Sequence, residues 1–350
     1  METLLRIQKK LIPELLEVFQ KRYEILKYVR LLQPIGRRSL AVHLGMTERI
    51  LRGEVLFLKG QGFLDVNTSG MSLTVEGMSL ITDLEDLMNN IFGLKDLEKK
   101  LQQLLNVGEV IVVAGDSDEN LLVKRELGRA CANRMKDCFQ ANNIIAVTGG
   151  STLAAAAEMI TPDGNDRDLL FVPARGGLGE RVENQANNIC AKMAENSSGH
   201  YRLLHVPDQV SEKMYESIVE EPSIKSTLDL IKSASMVVHG IGDAIIMANR
   251  RQAGEDCYEK LVKGHAVGEA FGYYFNEQGE IVHKIRTIGL QLDDLNNATT
   301  VIAVAGGSSK ANAIEAVMKQ GKDHILITDE GAAKKIIREQ SLKNKDKASK

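Results

Sequence analysis

Two places in this 350-residue chain carry nearly the same device, and that device restricts the fold more than any other feature. Ile145–Val147 runs into Thr148-Gly149-Gly150-Ser151-Thr152 and then an Ala-rich stretch, Leu153–Met159. Val301–Val304 runs into Ala305-Gly306-Gly307-Ser308-Ser309-Lys310 and then Ala311–Lys319. A β-branched run, a glycine pair, hydroxyl residues and a helix-forming stretch spell strand, tight turn and helix. The glycines let a ligand approach the backbone, and the free N–H groups opening the helix attract an anion. Neither copy has the four residues between Gly and Gly-Lys that a nucleotide-triphosphate loop needs, which disfavours a triphosphatase.

The surrounding pattern agrees. Glu109–Ala114, Asn143–Thr148, Leu169–Val172, Leu203–Val206, Met236–His239, Thr300–Ala305 and His324–Thr328 read as short strands, most separated by helical stretches of crossover length. That predicts an α/β domain over residues 107–340, with a parallel sheet wrapped by helices. An antiparallel insertion is expected at Ala266–Phe275 and Ile281–Ile288, with Asn276–Glu280 as its tip.

Several side chains near the glycine turns suit an anionic sugar. Arg175, in Pro173-Ala174-Arg175-Gly176-Gly177, places a guanidinium where it can fork onto a phosphate. Arg250 and Arg251 close the helix that follows His239-Gly240-Ile241-Gly242-Asp243; they serve an anion or act only as cations at a helix end. Together with Lys310 they exceed what one phosphate needs, which favours a bisphosphate. Glu269 and Gln185 are candidates for the sugar hydroxyls. No G-x-S-x-G nucleophile motif occurs, and His239 with Asp243 is the one pair placed for acid–base work, a structural role being favoured. An isomerase or deaminase is therefore the lesser alternative.

The first 78 residues have a different grammar. Residues 13–32 repeat Leu16, Phe19, Tyr23 and Leu26 at helical spacing, and residues 1–12 suit a short leader helix. Arg37–Leu44, a turn at Gly45–Met46 and a helix from about Thr47 to Lys59 then spell helix-turn-helix, with Thr47 as N-cap. Phe63–Val66 and Met71–Val75 around a turn-rich tip add a hairpin, completing a winged helix. Leu51, Val55 and Leu58 form an inward stripe, leaving Arg49 and Arg52 on another face. With Arg37, Arg38 and Thr47 these are the candidate contacts to double-stranded DNA. Charge agrees: residues 1–80 hold 12 Lys/Arg against 8 Asp/Glu, although the whole chain carries −3.

Between the two lies a stripe, Leu80, Leu84, Leu87, Ile91, Leu94, Glu98, Leu101 and Leu105, with Gly93 interrupting it. Over residues 79–106 it reads as one helix or two, either joining copies of the chain into a dimer or tetramer or docking onto its own domain. Residues 341–350 read as a disordered tail. No apolar run approaches the roughly 20 residues of a membrane span, and the four cysteines lack metal-ligand spacing. The expected setting is the cytoplasm, without metal or cofactor.

The winged helix, the helical linker and the motifs TGGST, PARGG, ENQANNIC, HGIGD, GEAFG and AGGSSK together resemble the sorbitol-operon (SorC-type) family of sugar-responsive repressors, over essentially the whole chain. The carboxyl-terminal motifs are specific, the helix-turn-helix generic. One departure is that the segment between Arg38 and Arg52 lacks the Ser/Arg-rich start usual for a family recognition helix. The resemblance implies an α/β domain related to sugar-phosphate isomerases and deaminases that has lost catalysis and kept phosphate binding. It also implies fructose 1,6-bisphosphate as inducer and an operon of lower-glycolysis genes as target, another sugar phosphate being the alternative. Carried onto this chain, one phosphate sits on Gly149, Gly150, Ser151 and Thr152, and Arg175, Gln185, Arg250, Arg251, Glu269 and Lys310 hold the rest.

Overall fold

The computed structural model describes residues 13–348 apart from 163, 166, 180, 322 and 323, so the expected leader helix lies outside the described residues. The chain divides into two units, Met1–Lys95 and Asp96–Lys350.

In the first unit α1 (Pro13–Leu32) stops before Gln33-Pro34, since a residue preceding proline is pushed out of the helical region. The helix-turn-helix follows as α2 (Arg37–His43) and α3 (Glu48–Gly60). Thr47 caps α3 as expected, its hydroxyl accepting from the Ile50 N–H at 3.4 Å. Leu51, Val55 and Leu58 are buried with Ile25, Leu26, Leu40 and Leu64 in one core, which seats α3. The wing is β1 (Leu64–Asn67) paired antiparallel with β2 (Gly70–Leu73), and Ile35 bridges to Met71 beside it. Val75 is not in the wing, because the Thr74 hydroxyl accepts from Gly77 N–H and starts α4 (Val75–Ile91) there.

The apolar stripe is divided. Gly93, at φ +73°, separates α4 from α5 (Leu94–Leu105), so there are two helices. Ile81, Met88 and Ile91 belong to the first core, with Leu80, Leu84 and Leu87 packed against it. In the second unit Leu101 and Leu105 are buried, and the Glu98 carboxylate accepts from Val112 N–H at 3.0 Å. That carboxylate satisfies a donor on an edge strand, which explains the one polar residue in the series.

The second unit runs β3 (Glu109–Val113), α6 (Leu121–Cys138), β4 (Asn142–Val147), α7 (Ser151–Met159), β5 (Asp168–Pro173), α8 (Ala186–Ser197), β6 (His200–Tyr201), α9 (Glu212–Glu220), α10 (Pro222–Lys232) and β7 (Met236–Gly240). It continues with β8 (Gly242–Asp243), α11 (Ala244–Arg250), α12 (Glu255–Lys263), β9 (Ala266–Ala270), β10 (Tyr273–Asn276), β11 (Ile281–Lys284), β12 (Thr300–Val304), α13 (Ala311–Met318), β13 (Ile325–Asp329) and α14 (Glu330–Ala348). Seven strands form a parallel sheet in the order β3-β13-β12-β7-β4-β5-β6. On one face Ile145, Val147, Phe171, Val238, Ile302 and Ile327 pack against Leu127, Met135, Leu153, Ile189 and Met193 of α6, α7 and α8. From β4 the chain proceeds to β5 and β6 on one side, and the later strands lie on the other. The crevice between the carboxyl ends of β4 and β7 is thus a topological switch point, where ligands of open α/β sheets sit.

Three expectations need correction. Leu203–Val206 is not a strand: the Asn187 side chain accepts from Leu204 N–H and donates to Leu204 C=O, replacing a neighbouring strand. The pairing falls instead at His200–Tyr201. The run Ala266–Phe275 is two strands of a four-stranded antiparallel sheet, turned at Phe271-Gly272 with both φ positive. Finally, residues 341–348 continue α14 rather than forming a tail, and Lys343 pairs with Glu277 at 3.0 Å. Among the described residues no helix is long and apolar enough to cross a membrane.

Candidate functional site

At the end of β4 the chain turns through Gly149 and Gly150. Gly150 takes φ +128°, a region that L side chains avoid, and a Cβ on Gly149 would lie 2.7 Å from the Asn184 carbonyl oxygen. Gly150 N–H donates to that same oxygen at 2.8 Å, which pins the turn. Thr148 ties it to the neighbouring strand end by accepting from Gly240 N–H at 3.1 Å. The N–H groups of Ser151, Thr152 and Leu153 then open α7, where no side chain caps the helix. Such a first turn, with the Ser151 side chain exposed, is an open anion hole.

The second copy of the device is filled from within. Gly307 N–H donates to Asp329 Oδ2 at 2.7 Å, Ser308 N–H to Asp116 Oδ1 at 3.2 Å and Ser309 N–H to Asp118 Oδ2 at 2.7 Å. Both serine hydroxyls also reach Asp118. Near-identical sequences thus have opposite chemistry: one loop opens a helix that no side chain caps, the other spends its amides on three carboxylates. From the second copy Lys310 reaches the crevice, donating to the Ile241 carbonyl at 3.2 Å.

Gly149, Gly150, Ser151, Thr152, Arg175, Arg250, Glu269 and Lys310 line one cavity. Gln185 and Arg251 do not line it. Gln185 is the residue from which α8 starts. Arg251 lies behind the wall, where its fully buried guanidinium meets Glu269 Oε1 at 2.9 Å, the Tyr274 hydroxyl at 3.1 Å and Asp208 Oδ2 at 3.3 Å. Arg175 faces the same two carboxylates at 3.8 and 3.7 Å. Sequence inspection missed Asp208 and Tyr274, which carry no local motif.

Electrostatics separates the roles. Burial pushes the Glu269 carboxyl up, but Arg251, Arg175 and the Gly272 N–H outweigh it and hold it below the usual carboxylate range. Glu269 is therefore an ionised acceptor fixed in the wall. Burial lowers the Lys310 ammonium, and Lys124 and Arg250 push the same way against Asp118 and Asp243. Three cations, Lys310, Lys124 and Arg250, thus act on one another at this point. Burial, followed by His324, takes His239 down to about 4, so it is neutral and packs against Phe271 at 4.8 Å. Asp243 is an N-cap for Ile246. The pair offers no acid–base site.

In the first unit Arg37, Arg38, Arg49 and Arg52 are exposed, and Arg38 lies 3.6 Å from Glu48. Thr47 is engaged in capping.

Residues 18–88 match the family described as "CggR N-terminal DNA binding domain" and residues 89–338 the one described as "Putative sugar-binding domain". The chain is 62% identical over 340 residues to the central glycolytic genes regulator of Priestia megaterium, covering 97% of this chain and 99% of that one. Its identity to the central glycolytic genes regulator of Bacillus subtilis is 57% over 340 residues, with 97% and 100% covered. A crystal structure described as "the putative SorC family transcriptional regulator from Enterococcus faecalis" has 46% identity and a TM-score of 0.66, covering 69% of this chain and 99% of that one. The full-length sorbitol operon regulator SorC from Klebsiella pneumoniae shares the fold at 17% identity and a TM-score of 0.66, with 87% and 94% covered. This chain belongs to the central glycolytic genes regulators, SorC-type transcription regulators, not enzymes, that join a DNA-binding head to a sugar-binding domain.

Proposed function

We propose that the chain represses glycolytic genes by holding double-stranded operator DNA through α3, and releases it when fructose 1,6-bisphosphate fills the cavity of the second unit. It acts in the cytoplasm as a homo-oligomer, dimer or tetramer. Residues 79–106 are the proposed oligomerisation element, through residues other than Ile81 and Met88, which lie in the first unit's own core. The observation that carries the effector reading is the convergence of Arg250 and the buried Lys310 on one cavity beside the uncapped start of α7. One phosphate takes the amides of Ser151 and Thr152, the other the two cations, and Glu269 accepts from a sugar hydroxyl. Arg251 supports the site from behind by orienting Glu269.

The effector favours the state of the protein with weaker DNA affinity, so operator DNA must weaken effector binding by the same factor. A thermal-shift series tests the ligand. At 100 times its Kd, fructose 1,6-bisphosphate adds about 2.7 kcal/mol, while fructose 6-phosphate and inorganic phosphate at equal concentration add less. A larger rise with a pentose or polyol phosphate identifies that compound as the inducer instead. Lys310→Ala is expected to bind operator like the parent and to require roughly 10- to 150-fold more bisphosphate for release, the value of a charged hydrogen bond. Identical release curves in a titrated gel-shift would remove Lys310 from the site.

A further inference from the structure

The helix α3 contains a glycine that nothing among the described residues requires. Gly53 lies in the interior of this 13-residue helix, where glycine is the least favourable residue apart from proline. Its φ is not in the left-handed range, and a Cβ built on it would meet no atom of the described residues within 4 Å. Gly60 is equally unhindered but is the last residue of α3, while Gly77 and Gly128 are explained from within the fold. A Cβ on Gly77 would lie 2.1 Å from the Phe63 carbonyl oxygen, and one on Gly128 2.6 Å from the backbone of Ala155. Packing among the described residues therefore does not require glycine at position 53.

Arg49, Arg52, Gly53 and Leu56 follow the i, i+3, i+4, i+7 spacing of one helix face, away from the buried Leu51, Val55 and Leu58. Both arginines are exposed, and Leu56 is left 60% exposed. Guanidinium groups and an aliphatic side chain around a bare backbone fit base edges, where arginine forks onto guanine and apolar groups meet the thymine methyl.

We infer that Gly53 is the point of closest approach between α3 and the floor of the major groove, and so sets which base edges Arg49 and Arg52 reach. Leu56 lies one turn on, against a thymine methyl. A methyl at position 53 lifts the helix off the bases. The inference rests on the reading of α3 as the DNA-contacting helix.

The test uses the full chain and two duplexes of equal length at matched salt: one selected by the parent chain from a random-sequence pool, and its scrambled counterpart. Gly53→Ala is expected to raise the melting temperature of the first unit by about 4–8 °C, because alanine is the better helix former. It is also expected to weaken binding to the selected duplex roughly tenfold or more by overpacking the contact, with scrambled-duplex affinity unchanged. Gly53→Leu should weaken selected-duplex binding further. If Gly53→Ala keeps its affinity for the selected duplex, or loses affinity for both duplexes equally, the inference is overturned. Arg49→Ala with Arg52→Ala separates the two levels of failure. If that double variant also keeps its affinity, α3 does not read DNA and the functional reading has failed. If it loses affinity while Gly53→Ala does not, only the role of Gly53 has failed.

Discussion

Replacing Arg251 with alanine is expected to destabilise the sugar-binding unit by about 3–5 kcal/mol, the cost of breaking a buried ion-pair network by removing one partner. The guanidinium is completely buried against Asp208 and Glu269, themselves 2% and 3% exposed. Its removal leaves Arg175, at 3.7–3.8 Å, as the nearby cation for both carboxylates, with Gly272 N–H still donating to Glu269. The loss has a pH signature. In the parent, Glu269 is held below its ordinary range, so it contributes stability that is present above the unfolded pKa and fades as pH falls through the folded one. Without Arg251 the folded pKa rises above its parent value, so the deficit of the variant should shrink on acidification. Urea unfolding followed by circular dichroism at neutral and mildly acidic pH checks both points. The neighbouring Arg250→Ala, on an exposed residue, should cost no more than about 0.5 kcal/mol. A deficit of that size for Arg251→Ala would mean that the network does not hold the wall together.

The contrast between these adjacent arginines shows where sequence reading stops. Consecutive residues on a helix point about 100° apart, so Arg250 lines the cavity while Arg251 is buried behind it. Two arginines at a helix end look alike until the opposite wall is known. The main-sheet strands are legible because β-branched runs between glycine turns have few alternatives, and β3, β4, β5, β7, β12 and β13 fall within two residues of expectation. Leu203–Val206 has the right composition but finds a side-chain amide where a strand needed a backbone. The turn at Phe271 is hidden because phenylalanine rarely takes a positive φ; here its ring is buried beside His239, and Glu269 accepts from Gly272 N–H. The two Gly-Gly-Ser loops differ through Asp116, Asp118 and Asp329. Asp116 and Asp118 lie about 190 residues from the amides they occupy, and no local pattern foretells that. The apolar stripe is ambiguous for a simpler reason, since a heptad has the same spacing whether its partner is another chain or its own.

Arg49 and Arg52 bear the largest expected loss of function. Replacing both with alanine should lower operator affinity roughly 30-fold to 25,000-fold, from about 1–3 kcal/mol for each base-reading arginine. The fold should survive, because neither side chain is buried and Leu51, Val55 and Leu58 still anchor α3. Bisphosphate binding should be intact, since no residue of the cavity comes from the first unit. Salt dependence separates two ways of losing affinity. If the arginines grip phosphates, each removal reduces the slope of log K against log salt by about 0.9, and operator and scrambled DNA weaken together. If they read bases, the slope holds and the loss falls on the operator alone. The exposed face they share with Gly53 and Leu56 favours the second pattern. Unchanged operator affinity at matched salt would instead move the contact to Arg37 and Arg38 at the start of α2, where Arg38 lies only 3.6 Å from Glu48 and must give up that pair to reach DNA.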